Sequence, residues 1–268
     1  MTRGTMGLIS CPILEDELVF GIEQDPEPKR VYVVENEFTR TLRKKLDQRS
    51  IPYEMMDEYS VRTSMDLDPE RFNIVIIMNP TRLHKEPEKL REYIQDQLVM
   101  LEGRFDAIGL YYGMCGNYGW DPSVWAKEHI STPVTLFRDH DGEVCDDCIA
   151  VAVGGRKEYR QLVKDYTGML FLTPAVATDW DEYPMNEDSK EWSGFYDSAD
   201  DYMRDLFRWG NYEYALKIDT GLGDRPEVDG CCKEVADRME LKLIEPKEPV
   251  ATTALASDMY VRTKGLLD

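Results

Sequence analysis

The sequence predicts an α/β fold: a mostly parallel, Rossmann-like sheet with helices on both faces and a helical C-terminal addition over about residues 190–268, all within one domain spanning 1–268. Three observations predict it. Apolar runs of strand length alternate along the chain with segments of helical periodicity, the pattern of right-handed strand–helix–strand crossovers. Phe72–Met78 (FNIVIIM) reads, Asn73 aside, as a continuous apolar run and stops at Asn79-Pro80, as expected of a strand buried on both faces. No long linker, low-complexity tract or internal repeat divides the chain.

In chain order, Met6–Leu14 reads as a buried strand closed by Glu15 and Asp16, with Cys11 near its carboxyl end. Gln24–Lys29, with two prolines, reads as a loop. Asn36–Gln48 has Phe38, Leu42 and Leu46 at helical spacing, and a short strand follows around Tyr53–Met56. After Phe72–Met78, Glu86–Leu101 is an amphipathic helix with Leu90, Tyr93, Ile94 and Leu98 on one side. Phe105–Tyr112 is the next strand, then a tight turn, a helix at Ser123–His129 and a strand at Pro133–Phe137. An acidic loop, Asp139–Asp146, precedes two helices, Cys148–Gly154 and Arg156–Tyr166. Gly168–Leu172 reads as a strand ending at Thr173-Pro174. Helices at Tyr196–Arg208 and Cys232–Met239 dominate the remainder, with short strand-like runs at Tyr214–Ile218 and Leu241–Ile244.

At 42% hydrophobic and 31% charged residues, the chain can bury a real core, which excludes a wholly disordered protein. Fifty-two acidic against 32 basic residues give a net charge of −20. A field of that sign repels phosphate backbones and anionic lipid, so neither nucleic acid nor membrane is an expected partner. The first residues, MTRGTMGLISCPI, carry too short an apolar stretch for a secretion signal, and the expected location is the cytoplasm.

Six cysteines in a long chain of this kind suggest thiols rather than a disulfide framework. In parallel α/β sheets, ligands bind outside the carboxyl ends of the strands. Cys11 follows the first strand, Cys115 a central strand, and Cys148 the loop after the next strand, so all three are expected on one rim. Gly113-Met114-Cys115-Gly116-Asn117 is the sharpest local signal. Its glycines permit positive backbone dihedrals and close approach of the backbone to a ligand. Cys145-Asp-Asp-Cys148 is a CxxC, but no second close pair completes a zinc ribbon, and the flanking aspartates oppose a low thiol pKa. Cys145 is therefore optional, and the adjacent Cys231 and Cys232 read as structural or surface thiols. Three thiolates from separate loops suit Zn²⁺ with an open fourth position or an iron–sulfur cluster with one iron free. His140 and Asp147 are candidates for a fourth ligand or a supporting partner. Thr173-Pro174 and Ile218-Asp219-Thr220-Gly221 are strand-end turns that either line a pocket or cap a helix. No GxGxxG after a strand, P-loop, GxSxG or HExxH is present.

At these residues the chain resembles an uncharacterised family, domain of unknown function one-six-three-eight. The likeness runs from the strand ending in Cys11 through the Gly113–Asn117 turn, Asp147-Cys148-Ile149 with Gly154, and Thr173-Pro174 to Ile218-Asp219-Thr220-Gly221-Leu222. The family carries Arg-x-His-Asp-Cys in a compact turn. Here Asp146 stands where that histidine belongs, and His140–Val144 look inserted. Family members occur in anaerobes and methanogens, often beside corrinoid methyltransferase systems. The resemblance thus implies methyl-group metabolism, adds a corrinoid to the cofactors, and names a corrinoid protein or methyltransferase as partner.

Three functions are open on this reading. The first is a metal- or iron–sulfur-dependent enzyme of corrinoid-linked one-carbon metabolism. In it Cys11, Cys115 and Cys148 hold the metal, Asn117 and Asp147 orient substrate, and Gly113, Gly116, Thr173, Asp219 and Thr220 line the cofactor site. The second is a non-catalytic protein that binds and delivers a corrinoid, metal or cluster. In the third the cysteines are core thiols and the acidic surface docks a basic partner.

Overall fold

The computed structural model describes residues 1–80, 83, 86–114, 120–182 and 195–267. Among them, six strands form one parallel sheet: β1 (Gly4–Ser10), β2 (Arg30–Val34), β3 (Glu54–Met56), β4 (Phe72–Met78), β5 (Ala107–Tyr111) and β6 (Val134–Leu136). Their order is β3-β2-β4-β1-β5-β6. Register is set at the centre, where Met6 of β1 lies opposite Ile74 of β4 and Ala107 of β5.

Crossovers are made by α1 (Glu15–Gln24), α2 (Arg40–Gln48), α3 (Glu58–Thr63), α4 (Pro87–Met100) and α5 (Pro122–His129). The steps β1→β2→β3 run one way across the sheet and the steps from β3 to β6 run the other. With right-handed crossovers, α1 and α2 therefore cover one face and α3–α5 the opposite one. The alternation of β4 records this. Ile74, Ile76 and Met78 share a core with Leu18, Leu42 and Leu46, while Val75 and Ile77 share one with Leu90, Ile94 and Leu98.

The second half of the chain has a parallel sheet of its own, β7 (Met169–Leu172), β8 (Tyr214–Lys217) and β9 (Lys242–Ile244), in that order. One face carries α6 (Cys148–Val153) and α7 (Arg156–Asp165), whose Ile149, Val153 and Leu162 cluster with Leu216 and Ile218. The other face carries α8 (Pro174–Thr178), α9 (Ala199–Trp209) and α10 (Arg225–Arg238), with Val176, Phe207 and Val235 in the core that holds Leu170, Leu172 and Ala215. The last helix, α11 (Ala254–Lys264), returns to the first sheet and packs on α1, β5 and β6.

The α/β, mostly parallel reading holds, and several elements differ in detail. The first strand ends at Ser10, not Leu14, because Pro12 has no N–H for the ladder and opens a 3-10 turn, Pro12–Leu14. Glu15 and Asp16 do not close that strand; they begin α1, where carboxylates suit the positive end of the helix dipole. The helix expected from Cys232 starts at Arg225, capped by Asp224, whose Oδ1 accepts from Glu227 N at 3.0 Å. No helix among the described residues is long and apolar enough to cross a membrane.

Candidate functional site

The carboxyl ends of β1 and β5 meet the loop before α6 at one corner of the first sheet. Cys11 N–H donates to Tyr111 O at 3.2 Å, tying the residue after β1 to the last residue of β5. Three residues beyond Tyr111, Met114 N–H donates to Cys145 O at 2.8 Å. Gly113 presses on the same loop: a Cβ there would stand 2.7 Å from Asp147 Cα and 2.9 Å from its N. Gly113 is thus required by close approach of two backbones, not by a positive dihedral, which it does not adopt.

Asp147 caps α6, its Oδ1 accepting from Ala150 N at 2.8 Å, which sets Cys148 as the first residue of that helix. Burial raises the Asp147 carboxyl above its ordinary range, partly offset by hydrogen bonds from Ala150 N–H and the Tyr159 hydroxyl. Cys148 is half-buried and packs where all three hydrophobic clusters meet, one of which includes the buried Cys11. Cys115, Gly116 and Asn117 lie outside the described residues, as does His84. Among the described residues, no three of His, Cys, Asp and Glu are grouped so as to hold a metal ion.

The second half of the chain reaches the same corner. The 3-10 turn after Cys11 packs against α8. Thr173, buried at the end of β7, caps that helix, its Oγ1 accepting from Val176 N at 3.4 Å. In the loop after β8, a Cβ on Gly223 would lie 3.6 Å from Asp16 Oδ1 and 3.7 Å from Pro174 Cβ, and Gly223 O accepts from Arg49. Asp219 and Thr220, earlier in that loop, cap no helix. Asp219 Oδ1 accepts from Gly221 N at 2.9 Å and Thr220 Oγ1 from Leu222 N at 3.3 Å, closing the turn itself.

The remaining chemistry-bearing residues stand apart from the corner or are committed elsewhere. His140 is 63% exposed at the tip of its loop, 3.9 Å from Asp141. Asp146, at the family's histidine position, is paired with Arg156 Nε at 2.8 Å. Cys145 is buried, which pushes its thiol up to about 12 and keeps it neutral. Cys232 is buried in the second half's core, its thiol pushed up to about 11, and Cys231 beside it is half-buried.

Sequence reasoning missed the buried charged groups that follow the 3-10 turn after Cys11. Glu15, Asp16 and Glu17, in the first turn of α1, are all buried. Lys45 of α2 lies 2.8 Å from both Glu15 Oε1 and Asp16 Oδ2. Burial pushes Glu15 upward against the pull of Lys45. Burial and the neighbouring Asp16 push Glu17 up to about 8, so it carries a proton at neutral pH. Tyr111, its hydroxyl buried, is raised by desolvation and then by Glu17, so the two groups sense each other. Among 52 acidic residues, three consecutive ones after an apolar strand gave no signal that they would be buried.

Residues 78–254 match the model of a family described as a protein of unknown function, DUF1638. The chain belongs to the DUF1638 family. No curated protein matches it. The DUF1638 span runs from the end of β4 to the first residue of α11 and so takes in Gly113, Asp147, Cys148, Thr173 and the Asp219–Thr220 turn. Cys11 and the Glu15–Glu17–Lys45 group precede the matched DUF1638 residues.

Proposed function

We propose that the corner between β1, β5 and α6 is a thiolate metal centre, with Cys11, Cys115 and Cys148 holding Zn²⁺ or an iron–sulfur cluster, in an enzyme of corrinoid-linked one-carbon metabolism. The observation that carries this reading is the convergence of backbones. The Cys11 N–H to Tyr111 O bond and the contact of Gly113 on Asp147 draw the turns after β1 and β5 onto the residue preceding Cys148. Thiols suit a soft metal, and Cys115 is one bond beyond Met114, which is itself tied to Cys145. Zinc would supply thiol or water activation there, and a cluster would supply redox or Lewis-acid chemistry. Asp147 holds the turn that presents Cys148. A corrinoid substrate or partner rests on the company the family keeps, which is an argument by analogy.

The test is the metal content and visible spectrum of the anaerobically purified chain, with Cys11→Ser, Cys115→Ser, Cys148→Ser and Cys145→Ser beside it. Stoichiometric zinc or iron is expected, lost in the first three variants and kept in Cys145→Ser. Full occupancy in Cys115→Ser overturns the assignment. Gly113→Ala is expected to lower metal content without removing a ligand, because overpacking of about 1–3 kcal/mol must displace the Asp147–Cys148 turn. With methylcobalamin as probe, methyl transfer supports an enzyme. Corrinoid binding without turnover supports delivery instead.

A further inference from the structure

A separate cavity of about 290 Å³ opens at the carboxyl ends of β2 and β4, where the helices that follow neighbouring strands leave on opposite faces. Such a crevice is where open parallel sheets take ligands. Its floor and walls include the buried Val34, Val61, Ile77 and Leu101, and its polar element is unusual. Asn79, fully buried after β4, and Gln97, 8% exposed on α4, are bonded to each other reciprocally. Asn79 Nδ2 donates to Gln97 Oε1 at 2.8 Å, and Gln97 Nε2 donates to Asn79 Oδ1 at 3.0 Å. A primary amide has two N–H groups and two lone pairs on oxygen. The pairing uses one of each, so both amides keep a further N–H and a further lone pair, and both line the cavity.

We propose that this cavity binds a small uncharged molecule with an amide edge, a primary carboxamide or a ring lactam, whose donor and acceptor pair with the Asn79–Gln97 amides. The size admits one or two rings, since 290 Å³ is at the small end of ligand pockets, about 300–1,000 Å³. Among the described residues the charges select against an anion: Glu58 and Asp96 line the cavity, and the lining cation, Arg62, is already paired with Glu58. Among the same residues a cation would meet neutral amides with no buried counter-charge, which is costly. Tyr93, 39% exposed, is an aromatic member of the cavity lining.

The test uses the full chain and three isosteric probes, benzamide, benzoate and toluene, read by NMR on the side-chain NH₂ resonances of Asn79 and Gln97. Benzamide is expected to shift both saturably with a Kd of about 1 mM, and benzoate and toluene to bind at least about tenfold more weakly. Met100→Trp, which fills the cavity, and Tyr93→Ala, which trims its exposed rim, are each expected to weaken benzamide about tenfold or more in protein that remains folded. Absence of a saturable shift with benzamide overturns the site. Equal binding of benzoate or toluene overturns the amide-edge selectivity, and undiminished binding in both variants overturns the location.

Discussion

At the first turn of α1, among the described residues, Glu15 and Asp16 share one cation, Lys45, and Glu17 has no ion pair. Just beyond the last turn of the same helix, Asp25 and Glu27 are held by Lys264 at 2.8 and 2.7 Å, and Asp25 also by the Tyr260 hydroxyl at 2.8 Å. The consequences are opposite. Burial raises Glu15 and Glu17. Burial also pushes Asp25 upward, but the hydrogen bonds from Lys264, Glu27 N–H and Tyr260 outweigh it and lower the carboxyl. Lys264, with help from Thr2, brings Glu27 down to about 2. Residue type and helix are the same; what differs is the number of donors per desolvated carboxylate. The end with a surplus of donors clamps α11 to α1. The end with a deficit follows Cys11 and the 3-10 turn in the chain, and its Glu17 is raised to about 8.

The sharpest way to break this contrast is Lys45→Met. Burial alone would lower the lysine, yet Asp16 and Glu15 more than compensate and hold it charged. Removing one partner of a buried ion pair leaves the other charge uncompensated, so a loss of about 3–5 kcal/mol is expected in urea unfolding at neutral pH. A loss under about 1 kcal/mol would mean that Glu15 and Asp16 do not depend on Lys45.

Next in size is the pH dependence set by Glu17. Its folded pKa of about 8 stands above the ordinary 4.5, so between those values the folded chain holds a proton the unfolded chain has released. Stability from this group is therefore full below the unfolded pKa and drains as pH rises, by up to about 1.4 kcal/mol per pH unit. Glu17→Gln should flatten that slope between about pH 5 and 8 in the same unfolding series. An unchanged slope would remove Glu17 as its source. Asp25 and Glu27 act in the other direction, their contribution lost as pH falls through their lowered values.

The contrast also marks where sequence reasoning stops. Phe72–Met78 and Phe105–Tyr112 are legible as strands because each has a long apolar run, Ile74–Met78 and Ala107–Tyr112, buried on both faces. The Gly113 turn and the Asp147-Cys148 helix start are legible because turn and cap chemistry are local. α1 was not legible, since a helix that buries Glu15, Asp16 and Glu17 violates the amphipathic pattern by which helices are recognised. β2 (RVYVV) was not read as a strand although its apolar Val31–Val34 carries the signal. The short runs at β8 and β9 read as strands, but their pairing with β7 into a second sheet joins residues far apart in the chain, which no local pattern encodes. The Asn79–Gln97 pair was hidden for the same reason: eighteen residues separate two amides that only the packing of α4 on β4 brings together.

The smallest effect tests the clamped end of α1. Tyr260 is buried on α11, and its hydroxyl donates to Asp25 Oδ2, which Lys264 also serves. Tyr260→Phe keeps the ring in the α1–α11 core and removes one donor of several, so a loss of about 1 kcal/mol is expected. The Asp25 carboxyl should move upward, narrowing the difference from Glu17, and ¹³C NMR of the side-chain carboxyl would follow it. An Asp25 titration unchanged in Tyr260→Phe would mean that Lys264, Lys29 and the Glu27 N–H lower it without the hydroxyl. The two ends of α1 would then differ through their lysine count, one for three carboxylates against two for two, rather than through the full set of donors.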